Sequence, residues 1–154
     1  MLSFQEFAQT MRRASLEARP ALYGVAQGAA EAGEALSRGF IGQELPDWKP
    51  LARRTVREKL EEGYGGQVSA TDPLLRTGRM RASISGKAVR LPNGAAVVIG
   101  SADPVARDQE LGTARIPPRP FLARAMIMLE PTIVESLAKA AGAVLNPKLW
   151  ESAE

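Results

Sequence analysis

The chain has 154 residues, a net charge of +3, an ordinary apolar fraction of 45% and an aromatic fraction of only 5%. It contains neither Cys nor His. That excludes disulfides, thiol chemistry and every Ser-His or Cys-His arrangement, and it removes the commonest general base and metal ligand. No apolar run reaches the ~18 residues of a membrane-spanning helix, and Met1-Leu2-Ser3-Phe4-Gln5-Glu6 has no signal-peptide pattern. The expectation is a single domain over residues 1–146, made and kept in a cytoplasm, with a core of Ala, Leu, Val, Ile and Met that gains burial from assembly.

Ser3-Phe4-Gln5-Glu6 reads as a capping box, with Leu2 and Phe7 placed for a hydrophobic staple. Phe4, Phe7, Ala8, Met11 and Ala14 then recur at helical spacing, and Pro20 should interrupt or kink the helix. A second helical pattern, Leu22, Val25, Ala26, Ala29, Leu36 and Phe40, is weakened by Gly24, Gly28 and Gly33 and needs a tertiary partner. After a connector, Pro50 suits the first turn of a helix running to about Glu62. Leu51, Thr55, Val56 and Leu60 form its inner side and Gly63-Tyr64-Gly65-Gly66 stops it. Trp48 is placed to pack under its first turn.

Residues 63–78 read as a loop, and residues 79–91 and 95–101 as a hairpin around Pro92-Asn93-Gly94. The apolar run Ala95-Ala96-Val97-Val98-Ile99 suggests a strand covered on both faces or lying at an interface. Residues 103–116 look polar and irregular. Ile116-Pro117-Pro118-Arg119-Pro120 must be extended, because each Pro restricts its predecessor. Pro120 can open a last helix with the stripe Leu122, Ala125, Met126, Leu129, Ile133, Leu137, Ala141 and Val144, which Pro131 should kink or restart. Residues 147–154 form a tail, with Trp150 its best anchor.

Three constellations could carry chemistry. Arg76, Arg79, Arg81, Lys87 and Arg90 fall in a stretch, residues 73–102, that holds no acid. They could face nucleic acid or a neighbouring subunit, although no aromatic residue interleaves them for base stacking. Glu61-Glu62 and the pair Asp108 and Glu110 are the only acid pairs to weigh as catalytic or metal-binding carboxylates, and solvated acids are the simpler account. In the stretch 110–122, Gly112 permits a turn, the Pro run stiffens an arm, and Phe121-Leu122 fasten it to the last helix. Arg119 is thereby held ready for a bidentate contact to a carboxylate.

The ordered series Trp48-Lys49-Pro50-Leu51, Thr55, Lys59, Leu75-Arg76-Thr77-Gly78-Arg79-Met80-Arg81, Ser83-Ile84, Val97-Val98-Ile99-Gly100, Glu110-Leu111-Gly112-Thr113 and Ile116-Pro117-Pro118-Arg119-Pro120-Phe121-Leu122 resembles a known family. It is similar to the phage virion morphogenesis (tail completion) proteins of Mu-like phages and to the minor tail and head–tail joining proteins of long-tailed siphophages. The resemblance covers about residues 48–125. Gln109-Glu110 stands where the Mu-like pattern has a His-Gln pair, and Pro118 replaces a small residue of the arm.

The resemblance implies an α+β, ring-forming subunit: an antiparallel sheet with a central β-hairpin between an N-terminal helical segment (1–45), a core (46–125) and a C-terminal helix (126–146). It implies a structural protein of the virion, in the tail end or neck, with no catalytic residue, cofactor, metal, membrane or small-molecule substrate. Its partners would be copies of itself in a closed ring, a hexamer being one such symmetry, and other neck and tail proteins. Glu110, Gly112, Thr113, Ile116, Pro118, Arg119 and Phe121 would then be subunit contacts. Arg76, Arg79, Arg81, Lys87 and Arg90 would face a partner or axial DNA. The alternatives are a basic nucleic-acid-binding module built on residues 76–90 and a His-free or lysine-based enzyme, for which no motif exists.

Overall fold

The computed structural model describes residues 3–62 and 69–144. The fold is α+β, a two-stranded antiparallel hairpin with helices before and after it in the chain. The Leu2 side of the staple, the glycine-rich stop at 63–66 and the tail with Trp150 lie outside the described residues.

Helix α1 spans Phe4–Phe40. The capping box forms as expected: the Ser3 N–H donates to the Glu6 carboxylate at 2.7 Å and the Glu6 N–H donates to Ser3 Oγ at 3.3 Å. These bonds, the Ser3 N–H first, hold the Glu6 carboxyl below its ordinary pKa. The expected break at Pro20 does not occur; α1 is one helix through it. Proline removes a single N–H, and the carbonyl it orphans belongs to Leu16, which is exposed and open to water.

Helix α2 spans Arg53–Glu61, three residues later than Pro50 would place it, with Ala52 extended at its N-cap. Its inner side also differs from the apolar stripe expected. Leu60 is 62% exposed and Thr55 faces solvent, whereas Lys59 is buried. Val56 and Lys59, three apart, share the inward face. A short helix, α3 (Arg79–Ser83), precedes the hairpin, so strand β1 begins at Ile84 rather than at 79 and runs to Leu91. Strand β2 is Gly94–Ser101, leaving Pro92-Asn93 as the turn. Neither these two residues nor Gly94 has a positive φ; the proline ring holds φ near −65° and excludes the primed turns. Strand β2 is only half-covered, with Val98 55% exposed.

Residues expected to be irregular form helix α4, Pro104–Leu111. Asp103 caps it, its carboxylate accepting from the Val105 N–H at 3.0 Å, and Pro104 occupies the first turn. Helix α5, Leu122–Val144, continues through Pro131 without restarting. Leu122, Ala125, Met126, Leu129 and Ile133 of its expected stripe are at least half-buried, while Leu137 and Ala141 are exposed.

Tertiary contacts group the chain into two compact units. One comprises residues 1–30, 87–98 and 129–154; its buried apolar residues include Ala26, Ala29, Ala30 and Leu129, so its core is small-residue packing. The other comprises residues 31–86 and 99–128 and has the larger core. Ile41, Trp48, Met80, Ile84, Ala106 and Phe121 are buried together, with Leu45, Leu75, Ile99 and Leu122 against them. Ile84 and Phe121 are wholly excluded from solvent, each contributing roughly 1.5–3 kcal/mol. Polar contacts fasten this unit at two further points. Arg38 pairs with Glu34 at 2.8 Å and donates to the Ile84 carbonyl at 2.7 Å, while Glu34 accepts from the Gly86 N–H at 2.7 Å. Ser83 and Ser101 join their hydroxyls at 2.6 Å where the two strands meet their flanking segments.

Gly112 ends α4 with φ 74° and ψ 169°, a region essentially open to glycine alone. A Cβ there would lie 2.9 Å from the Pro118 ring and its nitrogen and 3.0 Å from the Ile116 carbonyl. Gly78 also has positive φ (79°) but faces open space. Gly112→Ala should therefore cost about 2–4 kcal/mol of stability and Gly78→Ala about 1–2 kcal/mol. Urea unfolding of the two variants checks the order.

Candidate functional site

The arm that links α4 to α5 is the most tightly specified segment of the chain. Glu110, on the last turn of α4, accepts from the Phe121 N–H at 2.7 Å, the Leu122 N–H at 2.9 Å and the Ala123 N–H at 2.8 Å. Three of the four N–H groups that a helix start leaves unpaired are thus taken by one carboxylate, whose charge also suits the positive end of the helix dipole. Thr113 closes a tight turn: its N–H donates to the Ile116 carbonyl at 2.8 Å, and its hydroxyl accepts from the Arg115 and Ile116 N–H groups at 3.3 and 3.1 Å. The Arg119 N–H donates to the Gln109 carbonyl at 2.7 Å.

The residues expected to contact other subunits divide in two. Glu110, Gly112, Arg119 and Phe121 are engaged inside the chain. Thr113 and Pro118 are exposed, and Ile116 is half-buried. Arg119 is held within its own chain. It is 4% exposed and meets no carboxylate among the described residues; its Nη2 donates to the Lys49 carbonyl at 2.8 Å, and its Nε is buried without a partner. Burial pushes its pKa down, although a guanidinium stays charged at any ordinary pH.

The five expected basic residues are shared between the two units. Arg76, Arg79 and Arg81 belong to the larger-cored one and Lys87 and Arg90 to the other. Arg76 pairs with Glu62, Arg79 lies 3.3 Å from Asp103, and the Arg90 guanidinium sits 3.7 Å above the Tyr23 ring centroid. Arg81 and Lys87 are exposed. Of the acid pairs weighed as catalytic, Glu61, Glu62 and Asp108 are exposed, and Glu110 is the helix cap. No cluster of carboxylates able to hold a metal exists among the described residues, and none of the helices searched there is long and apolar enough to cross a membrane.

Beside the arm lies a half-open cleft of about 690 Å3, formed by α2, residues 72–80, the start of α4 and arm residues 115–119. Six cations line it (Lys49, Lys59, Arg76, Arg79, Arg115 and Arg119) against three acids, Glu58, Asp72 and Asp103. Each acid is already engaged: Glu58 by Arg54 at 2.6 Å, Asp103 by Arg79, and the Asp72 carboxylate by the Ser69 N–H at 2.9 Å. Lys59 is 4% exposed and donates to the Asp72 carbonyl at 2.7 Å, without an ion pair among the described residues. Burial pushes its pKa down, Asp72 opposes that shift and Arg76 adds to it. The sequence offers one cue to its position, its helical spacing from Val56, since a lysine stem can lie along apolar surface while its head reaches a polar group.

Comparison with family models, with curated proteins and with solved structures finds no match.

Glu110→Ala would strand three N–H groups, so it should cost about 2–3 kcal/mol. It should also speed amide exchange at Phe121, Leu122 and Ala123 ahead of the rest of the unit. Lys59 gives a pH test. Its folded pKa lies below 10.5, so between that depressed value and 10.5 the unfolded chain binds more protons than the folded one. Its contribution to stability therefore rises with pH across that window. Lys59→Met should remove this alkaline rise while leaving the fold intact, which denaturant midpoints measured across the alkaline range will check.

Proposed function

We propose that this chain is a non-enzymatic structural subunit of a bacteriophage tail end or neck, which closes into a ring with copies of itself and helps join the tail to a DNA-filled head. What supports the reading is a coincidence of two independent patterns. The motif series that resembles the tail-completion and head–tail joining proteins is scattered over residues 48–122. Seven of its apolar members, Trp48, Leu75, Met80, Ile84, Ile99, Phe121 and Leu122, belong to one packed core, that of the larger-cored unit, while Val98 and Leu111 are exposed. That clustering supports reading the series as the mark of one folded unit. The exposed members of the arm, Thr113 and Pro118, are the surface it offers to a neighbour, and the exposed cations Arg76, Arg79, Arg81, Lys87 and Arg90 are what it offers to a partner or axial DNA.

The N-terminal stretch of α1 fits the same reading. Phe4, Phe7 and Met11, at helical spacing, are 85%, 49% and 43% exposed, and no residue between Ser3 and Tyr23 is buried. An amphipathic face left uncovered in the subunit is the usual mark of a helix that packs on another chain.

The test is the particle formed by the purified chain, by multi-angle light scattering and negative-stain electron microscopy, alone and with phage tails that lack their end protein. A closed ring, alone or on the tail, supports the proposal. A chain that stays monomeric under both conditions overturns it. Phe7→Glu with Met11→Glu should break the assembly to monomers while changing the subunit's own unfolding by less than about 0.5 kcal/mol.

A further inference from the structure

The cleft beside the arm is poorly explained by the packing of the subunit itself. It gathers cations from four separate segments, holds twice as many of them as acids, and has each of its acids already committed. Two of the cations, Lys59 and Arg119, are almost entirely removed from water, and among the described residues each bonds one backbone carbonyl. A buried charge with incomplete compensation is costly; Asp72 offsets part of the cost at Lys59, and Arg119 meets no carboxylate among the described residues, so the arrangement favours a carboxylate that enters. Between the cations the lining is apolar: Leu51, Leu74, Leu75, Val105 and Ile116 border the same space, and Val105 is 49% exposed. Among the described residues no aromatic side chain lines it.

We propose that this cleft is a docking site for a short acidic peptide segment of a partner protein, whose carboxylates face the cations of α2 and the arm and whose apolar side chains cover the leucines between them. The size fits: peptide and ligand sites fall within roughly 300–1,000 Å3. The mixed lining separates this occupant from the others. A free phosphate would satisfy the cations but leave the apolar lining wet. A nucleic-acid strand binds by tracking a basic groove and stacking its bases on aromatic rings, and the described lining of the cleft supplies no ring. An acidic segment with interspersed apolar residues satisfies both kinds of lining at once, through charge-assisted hydrogen bonds that are at their strongest where water is excluded. The site lies within one unit of one chain, so the proposal stands whether or not the chain forms a ring.

The experiment uses the 154-residue chain and a fluorescein-labelled pentapeptide of alternating leucine and glutamate, with its glutamine counterpart, inorganic phosphate and a random single-stranded oligonucleotide as competitors, read by anisotropy at two salt concentrations. The acidic peptide should bind, more weakly at high salt, and at least about tenfold more tightly than the glutamine peptide. Lys59→Met and Arg115→Gln should each weaken binding about three- to tenfold, while Lys87→Gln, on β1, should not. Arg115 is exposed, so its variant tests the site even if Lys59→Met fails to fold. Equal binding of the two peptides, or indifference to both cleft variants, overturns the proposal. Competition by phosphate at the same concentration as the peptide also overturns it, leaving a bare anion site. Tighter binding of the oligonucleotide overturns it in favour of nucleic acid.

Discussion

Helix α5 begins with N–H groups that its own hydrogen bonding cannot serve, and Glu110 serves three of them. Because that carboxylate sits on the last turn of α4, the contact sets the distance and direction between the end of one helix and the start of the next. The ten residues between must then return within a short reach, and they do so only because Gly112 lets the backbone pass beneath Pro118. Once the arm is closed, Phe121 is delivered into the core beside Trp48, Met80 and Ile84. Arg119 is carried to the Lys49 carbonyl, tying down the segment that leads into α2. A cap, a glycine and an arginine thus organise a unit whose large buried side chains are few.

What the sequence made legible was local. The capping box at Ser3 and Glu6 and the hairpin around Pro92-Asn93 rest on residues within a few positions of one another, and both are present. The apolar stripe of α5 held as far as Ile133. Helix α4 was hidden because its only buried residue is Ala106, too small to mark a stripe among polar neighbours. Its cap, Asp103-Pro104, was nevertheless in plain view. Pro20 and Pro131 do not end their helices. The cost of a helical proline depends on whether water can serve the orphaned carbonyl, which is a property of the surface and not of the local sequence.

The candidate site divides along the same line. The arm was recognisable because a glycine, a threonine and three prolines constrain it directly. Its burial was not: Arg119 lies 4% exposed and bonds the Lys49 carbonyl, a partner far along the chain that the sequence does not mark. The cleft could not be seen at all. Its cations stand at 49, 59, 76, 79, 115 and 119, and no window of the sequence contains more than two or three of them. The acid-free stretch that drew attention is instead divided between two units, with Arg76 and Arg79 paired and Arg90 stacked on Tyr23. Charge density along a chain and charge density in space are different quantities, and only the fold converts one into the other.

Two features left incomplete by folding then differ in kind. The exposed face of Phe4, Phe7 and Met11 lacks apolar cover, which any well-shaped surface supplies through area, with little dependence on salt. Among the described residues Lys59 and Arg119 form no ion pair, although Asp72 acts on Lys59 from nearby; what would complete them is a carboxylate or a similar anion. The first demand is undemanding in chemistry and suits copies of one chain packing helix on helix. The second is selective, because an apolar segment entering the cleft would deepen the desolvation of the cations without offsetting it. A chain with both has one surface suited to apolar packing and another suited to selecting anions.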